Sequence, residues 1–232
     1  MKKESLKSSI RNILKKTYLY RNVYHPYVAS QVEASVRRRH SLLLREGATL
    51  LYEFIRCCTD MQIPYWLEFG TLLGAYRDGA FIQNDTDLDV GAYLQDARRL
   101  NQALTQAGFR LVREFHVVGE NGLEQTYEYH ELTIDVMYFY EQEGYVWCNG
   151  VVLPKITHKL LTAQVTAHWF HPFTLSTMSF LDMQVSIPAN TEAHLMEIFG
   201  EGYRVYDPNF SGDLNKVYYP RNEKKAIGFY YE

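Results

Sequence analysis

No stretch of this chain approaches the roughly 18 consecutive apolar residues that a membrane-spanning helix requires, so a helical membrane domain is not expected. The start of the sequence is basic and polar and lacks the apolar region of a signal peptide. A cytoplasmic location follows, with the inner face of the membrane as a second setting. Cysteine is scarce: Cys57, Cys58 and Cys148 form an odd set without metal or redox spacing. A disulfide framework is thereby excluded, and idle thiols in a reducing compartment are expected. The histidines are scattered, and His158, His168 and His171 show no His-Glu-x-x-His arrangement. There is no internal repeat and no low-complexity segment.

What is present is an ordinary globular composition, 232 residues with 47% hydrophobic and 22% charged side chains, enough for one domain with an appendage. The charge is uneven. Residues 1–40 hold ten Lys/Arg against Glu4 and Glu33, a balance of +8, and the net charge of −3 leaves −11 for the remainder. Residues 1–40 are therefore read as a basic helical extension and 41–232 as the main domain. Within the first twenty residues Leu6, Ile10, Ile13, Leu14 and Tyr18 recur at helical spacing beside Lys7, Arg11 and Lys15. Such a helix either lies on an anionic membrane through residues 1–25 or packs on its own domain. The acidic body argues against a nucleic-acid partner.

The most informative segment runs from Ile63 to Val90. Pro64 to Phe69 reads as a strand and Gly70-Thr71 as a turn into a helix start, with Thr71 as N-cap. Free N–H groups at a helix start bind phosphate. Downstream, Asp87 and Asp89 alternate with Leu88 and Val90 on a half-buried strand. Their carboxylates would project to one side, roughly 6–7 Å apart. Two carboxylates held so close repel, and a hard divalent cation relieves the repulsion. The pattern points to metal-assisted chemistry on a phosphate, with Mg²⁺ or Mn²⁺ as the expected cofactor.

These residues resemble the LicD family, relatives of fukutin and the fukutin-related protein within the nucleotidyltransferase-fold superfamily. Gly70 to Ala75 and Arg77 match the family's Gly-Thr-Leu-Leu-Gly-Ala-x-Arg block, Gly79 and Ile82 the approach, and Asp85, Asp87 and Asp89 the acidic strand. A second stretch resembles the C-terminal signature: Ile187-Pro188-Ala189-Asn190, Glu192, Leu195, Phe199-Gly200 and Asp207-Pro208. The departures are Gln83-Asn84 for the usual Pro-Trp, Thr86 for a frequent Asp, and Phe199 for a usual Tyr. The likeness spans roughly residues 45–210.

The superfamily implies a third carboxylate on a neighbouring strand, and Asp135 in Leu132–Tyr140 supplies it. An unpaired buried carboxylate is costly, and no basic residue lies nearby in sequence, so metal ligation is favoured over a salt bridge. A general-base role remains the alternative. Arg77 suits phosphate recognition by its planar fork, or an ion pair with Asp78 or Asp85. Glu68 faces either the site or solvent, and His158 beside Lys159 is a further donor-phosphate candidate. Tyr127, Tyr129, Tyr138 and Tyr140 alternate at strand period, as sheet packing or as a glycan platform.

The coarse pattern is a helix over about 30–59 with Leu43, Leu44, Leu51, Phe54, Ile55 and Cys58 as its stripe, and a helix over about 95–106. Strands are expected near 110–117, 124–129, 132–140 and 145–152, with a helix over about 192–199 and a tail from Asp207 that wraps the surface. The fold class is α+β, a nucleotidyltransferase-like mixed sheet flanked by helices with an N-terminal helical extension. The resemblance implies transfer of a phospho-alcohol (phosphocholine, ribitol phosphate or glycerol phosphate) from a CDP-alcohol to a hydroxyl of a cell-surface glycan, with CMP released. Asp87, Asp89 and Asp135 would hold the metal, and Gly70, Thr71 and Arg77 the donor phosphates. A nucleotidyltransferase and a non-catalytic glycan- or nucleotide-binding subunit are the rival readings.

Overall fold

The computed structural model describes residues 25–83, 85–118, 122–152, 160–206 and 225–231. The amphipathic segment of residues 1–24 lies outside them, as does His158. Helix α1 (His25–Asp60) leads the described chain. Leu43, Leu50, Leu51, Phe54, Cys57 and Cys58 form its buried stripe. Leu44 is exposed instead, because the stripe drifts round the helix to Leu50. Helix α1 runs across residue 40 without a break. Arg39 already reaches the central sheet, donating from Nη2 to Thr133 Oγ1 at 3.1 Å.

After α1 come β1 (Tyr65–Leu67), the short helix α2 (Phe69–Leu73) and a π-helical turn over Gly74–Asp78. Next are β2 (Leu88–Tyr93), α3 (Ala97–Gln106), β3 (Arg110–Val117), β4 (Leu123–Tyr129), β5 (Leu132–Gln142) and β6 (Tyr145–Val152). The chain continues through β7 (Leu160–Phe170), the hairpin β8 (Leu175–Phe180) and β9 (Met183–Pro188), helix α4 (Thr191–Phe199) and β10 (Lys225–Tyr230). This is an α+β fold. Its large sheet runs β1-β2-β5-β4-β3-β10-β7-β6, and β6 also pairs with the far end of β5. Among the described residues β2 and β5 form the one parallel pair, and the other ladders are antiparallel. No described helix is long and apolar enough to cross a membrane.

Side-chain alternation explains the core. Leu88, Val90 and Ala92 of β2 and Ile134, Val136 and Tyr138 of β5 share one buried cluster with α1 and α3. The other face of these strands is left for Asp89 and Asp135. Tyr127 and Tyr138 are fully buried and donate to Gln125 Oε1 at 2.8 Å each, so these two tyrosines serve packing, not a glycan platform. Cys57, Cys58 and Cys148 are free and buried.

Two expectations change. The chain after Pro154, whose pattern is less regular and for which no strand is expected, carries β7, β8 and β9. The tail, expected to wrap the surface, instead inserts β10 between β3 and β7. Tight hairpins join β4–β5, β5–β6 and β8–β9 through paired left-handed residues: His130–Glu131, Glu143–Gly144 and Leu181–Asp182. Such turns match the strand twist but usually advertise themselves through Asn or Gly. Two of these three carry neither.

One close approach is built around Gly91. A Cβ there would lie 2.3 Å from Trp66 Cε2 and 2.4 Å from its Nε1. Trp66 is fully buried and its indole N–H donates to Glu68 Oε2 at 2.6 Å, so it has little freedom to step aside. Gly91→Ala is expected to lower the unfolding free energy by about 1–3 kcal/mol, read by urea denaturation. An unchanged midpoint would show that the indole moves without cost.

Candidate functional site

Asp89 and Asp135 are register partners across the parallel β2–β5 ladder. The row continues through β4 and β3: Asp135 pairs with Thr126 and Thr126 with Arg113. It ends on β10, where Arg113 pairs with Tyr230. A bulge in β3 creates this row. The β3–β4 register shifts between Leu111 and Arg113; unbroken pairing would set Arg113 opposite Gln125, on the core face. One residue of slip exchanges the faces of a strand, and here it aims a guanidinium at Asp135.

Arg113 Nη2 lies 3.2 Å from Asp135 Oδ2 and 3.4 Å from Oδ1. It also stands 3.7 Å from Glu124 Oε1. The salt bridge weighed against metal ligation is therefore present, its basic partner supplied by a strand two places away in the sheet. Asp87, just before β2, joins Asp135 in a cleft of about 320 Å³ whose walls carry Arg39, Arg110, Arg113, Tyr230 and Tyr231. The sequence reading missed all five.

Helix α2 holds the other side. Its N-cap is Glu68, whose side chain accepts from Phe69 N–H at 3.3 Å, not Thr71. Phe69 has φ +43°, a left-handed conformation that starts the helix earlier than the sequence suggests. Thr71, inside α2, accepts the Asp89 N–H on its Oγ1 at 2.8 Å. The Gly70 N–H donates to the Asp89 carboxylate. Gly70 and Thr71 therefore grip Asp89 directly. A Cβ on Gly70 would meet Asp85 Oδ2 at 3.2 Å and Asp89 Oδ2 at 3.5 Å, so two carboxylates close over the space a side chain would fill.

The electrostatics are those of crowded like charges. Burial and then Asp87 push Asp85 up to about 7. Burial and then Asp135 push Asp87 up to about 6, with Arg39 and Arg113 opposing. Asp89 is raised well above the usual carboxylate range by burial, then by Asp87, Asp85 and Asp135. Glu124 rises to about 8 through burial and Asp135. Asp85 Oδ2 is buried and has no hydrogen-bond partner among the described residues, while the Asp85 carbonyl lies 2.9 Å from His40 Nδ1.

Hard oxygen donors in mutual repulsion, one of them orphaned, fit a divalent cation in donor chemistry. Among the described residues no three His, Cys, Asp or Glu side chains converge closely enough to hold one. Two other candidates lie apart from the cleft. Arg77 makes a bidentate pair with Asp78 at 2.8 and 2.7 Å and donates to the Tyr203 carbonyl at 3.2 Å. Glu68 faces neither site nor solvent; it is fully buried, accepting from Trp66 and lying 2.9 Å from His194 Nε2. Its role is to tie α2 to α4.

Residues 62–190 match the family described as LicD/FKTN/FKRP, nucleotidyltransferase domain. The chain is 29% identical over 177 residues to the mouse protein named Ribitol-5-phosphate transferase FKTN, covering 75% of this chain and 35% of that protein. It is 36% identical over 149 residues to human Ribitol 5-phosphate transferase FKRP, covering 60% of this chain and 28% of that protein. The chain thus spans about a third of the length of these curated relatives. Among solved structures, the lincomycin-bound lincosamide antibiotic adenylyltransferase LnuA aligns with a TM-score of 0.42 at 16% identity, covering 68% of this chain and 87% of that one. With more than half of its residues matched by the family, including Asp85, Asp87, Asp89 and Asp135, this chain belongs to the LicD family.

Proposed function

We propose that this protein is a metal-dependent phosphotransferase that moves a phospho-alcohol from a CDP-alcohol to a glycan hydroxyl. The observation that carries the reading is the Asp89–Asp135 pair across β2 and β5 with Asp87 beside it, opening on an arginine-lined cleft. The names of the LicD relatives support ribitol phosphate as the first group to test. In the reaction the acceptor oxygen attacks the phosphorus bearing the alcohol, the bond to CMP breaks, and the hydroxyl proton passes to the carboxylate cluster.

Asp87, Asp89 and Asp135 are the residues proposed to hold Mg²⁺ or Mn²⁺. Such an ion supplies charge neutralisation and orients the attacking and leaving oxygens. The protein's own part is positioning. Gly70 and Thr71 fix Asp89, and the β2–β5 register fixes Asp135 beside it. Arg39, Arg110 and Arg113 give the cleft its positive wall, the task first assigned to Arg77, and suit phosphate oxygens by their planar forks. Tyr230 and Tyr231 offer ring surface beside that wall.

Metal binding has a signature in stability. The folded-state values of Asp85, Asp87 and Asp89 are raised above the unfolded carboxylate value of about 4. The contribution of Asp85 and Asp87 to stability is therefore complete below about pH 4 and is lost as pH rises through about 6 to 7, and that of Asp89 is lost in the same direction. Metal-free protein should melt at a lower temperature at pH 8 than at pH 5, and Mn²⁺ should restore the loss at pH 8 with little effect at pH 5. Calorimetry of wild type against Asp85→Asn checks this. A Mn²⁺ shift equal at both pH values would count against binding by these carboxylates.

Turnover gives the direct test. Phosphorus NMR with Mg²⁺ or Mn²⁺ and CDP-ribitol, CDP-choline or CDP-glycerol should show metal-dependent CMP release. Asp87→Asn combined with Asp89→Asn should abolish it, a loss of at least about a hundredfold for removing transition-state charge stabilisation. Pyrophosphate release from CTP would point instead to nucleotidyl transfer. Binding without turnover would leave a silent subunit.

A further inference from the structure

Arg113 is an imperfectly held counter-ion. A guanidinium that is a permanent partner presents two parallel N–H donors to a carboxylate. Arg113 instead spans both Asp135 oxygens with one nitrogen, at 3.2 and 3.4 Å, and its Nε is buried without a partner among the described residues. A second carboxylate, Glu124, waits 3.7 Å away. The guanidinium rests over the Phe115 ring at 5.3 Å from its centroid, a flat surface on which it can turn.

Charge counting shows why Asp135 and Arg113 are not a closed pair. Asp85, Asp87, Asp89, Asp135 and Glu124 face one another with Arg39 and Arg113 as the opposing charges on Asp87. With all five carboxylates ionised, two guanidinium groups cannot balance them, and a divalent cation can supply the missing positive charge. Once such a cation takes Asp135, Arg113 stands against a like charge at contact range and is repelled. The cleft beside it is where it has space, next to Arg110 and Tyr230.

We propose that Arg113 is an exchangeable counter-ion: it neutralises Asp135 in the metal-free protein and turns to a donor phosphate when a divalent cation takes that carboxylate. The inference rests on the proposed assignment of Asp135 as a metal ligand. It makes metal and nucleotide cooperative, because the ion releases the arginine that the nucleotide needs. Linkage requires the effect to be reciprocal, each ligand tightening the other by the same factor.

The test separates binding from turnover. Free Mn²⁺ is followed by electron paramagnetic resonance, and CDP affinity by calorimetry with and without Mn²⁺, in wild type, Arg113→Ala, Arg113→Gln and Arg113→Lys. With its competitor removed, Arg113→Ala should bind Mn²⁺ alone on the order of fivefold more tightly, while CDP binding weakens and its enhancement by Mn²⁺ falls towards one. Arg113→Gln should behave like Ala and carries the comparison if Ala fails to fold. Arg113→Lys keeps the charge without the fork and should fall between. Equal or weaker Mn²⁺ binding in both neutral variants overturns the exchange while leaving the metal site standing. CDP binding with no Mn²⁺ binding in any of the proteins overturns the metal reading, and the exchange with it.

Discussion

Carboxylates that repel one another are brought together here by strands that cannot move apart. Asp89 and Asp135 sit opposite in a parallel ladder whose other face is the main core, with Leu88, Val90, Ile134 and Val136 fully buried beneath them. Sliding β2 by one residue would turn Asp89 into that core and Val90 out of it. Hydrophobic burial on one face therefore enforces charge crowding on the other. The raised values of Asp85, Asp87 and Asp89 follow from that crowding, and Arg39 of α1 with Arg110 and Arg113 of β3 answers it.

The same constraint gives the two sequence motifs a common purpose. Glu68, one residue before the first motif's Phe69-Gly70, caps α2 and meets His194 of the second. Tyr76 donates to Glu192 at 3.2 Å, and Arg77 reaches the carbonyl of Tyr203. The C-terminal signature is thus the back wall of the acidic site. Trp66, Glu68 and His194 are fully buried, and a buried polar cluster of this kind is stable only when its members stay paired. It keeps α2 rigid, and through Thr71 and Gly70 it keeps Asp89 in place.

What the sequence made legible was local. The strand from Leu132, the acid pair around Leu88 and the helix to Asp60 each follow from a repeating pattern within one element, and each is found close to its expected bounds. The family likeness joined the two motifs without saying how they touch. Hairpins closed by Leu181–Asp182 and His130–Glu131 left no Gly or Asn to read. Glu68 looked like an alternating strand residue because burial of a carboxylate is unfavourable on its own. The Trp66 and Phe69 N–H groups and the His194 ring, the last 126 positions away, make it tolerable.

Arg113 shows most sharply why the rest of the site was hidden. A carboxylate in a β-branched, aromatic strand signals a need for compensation, but the sequence around Asp135 offers no cation. The cation comes from β3, two strands away, and faces Asp135 only because the ladder slips between Leu111 and Arg113. Without that bulge the same residue would point into the core opposite Gln125. Tyr230 reaches the same row from β10, which enters the sheet beside β3 after a separation of more than a hundred residues. A cleft assembled from irregularity and long-range pairing carries no periodic signature. The acids of the site are written in and just before two strands, β2 and β5, whereas the groups that balance them are placed by the sheet.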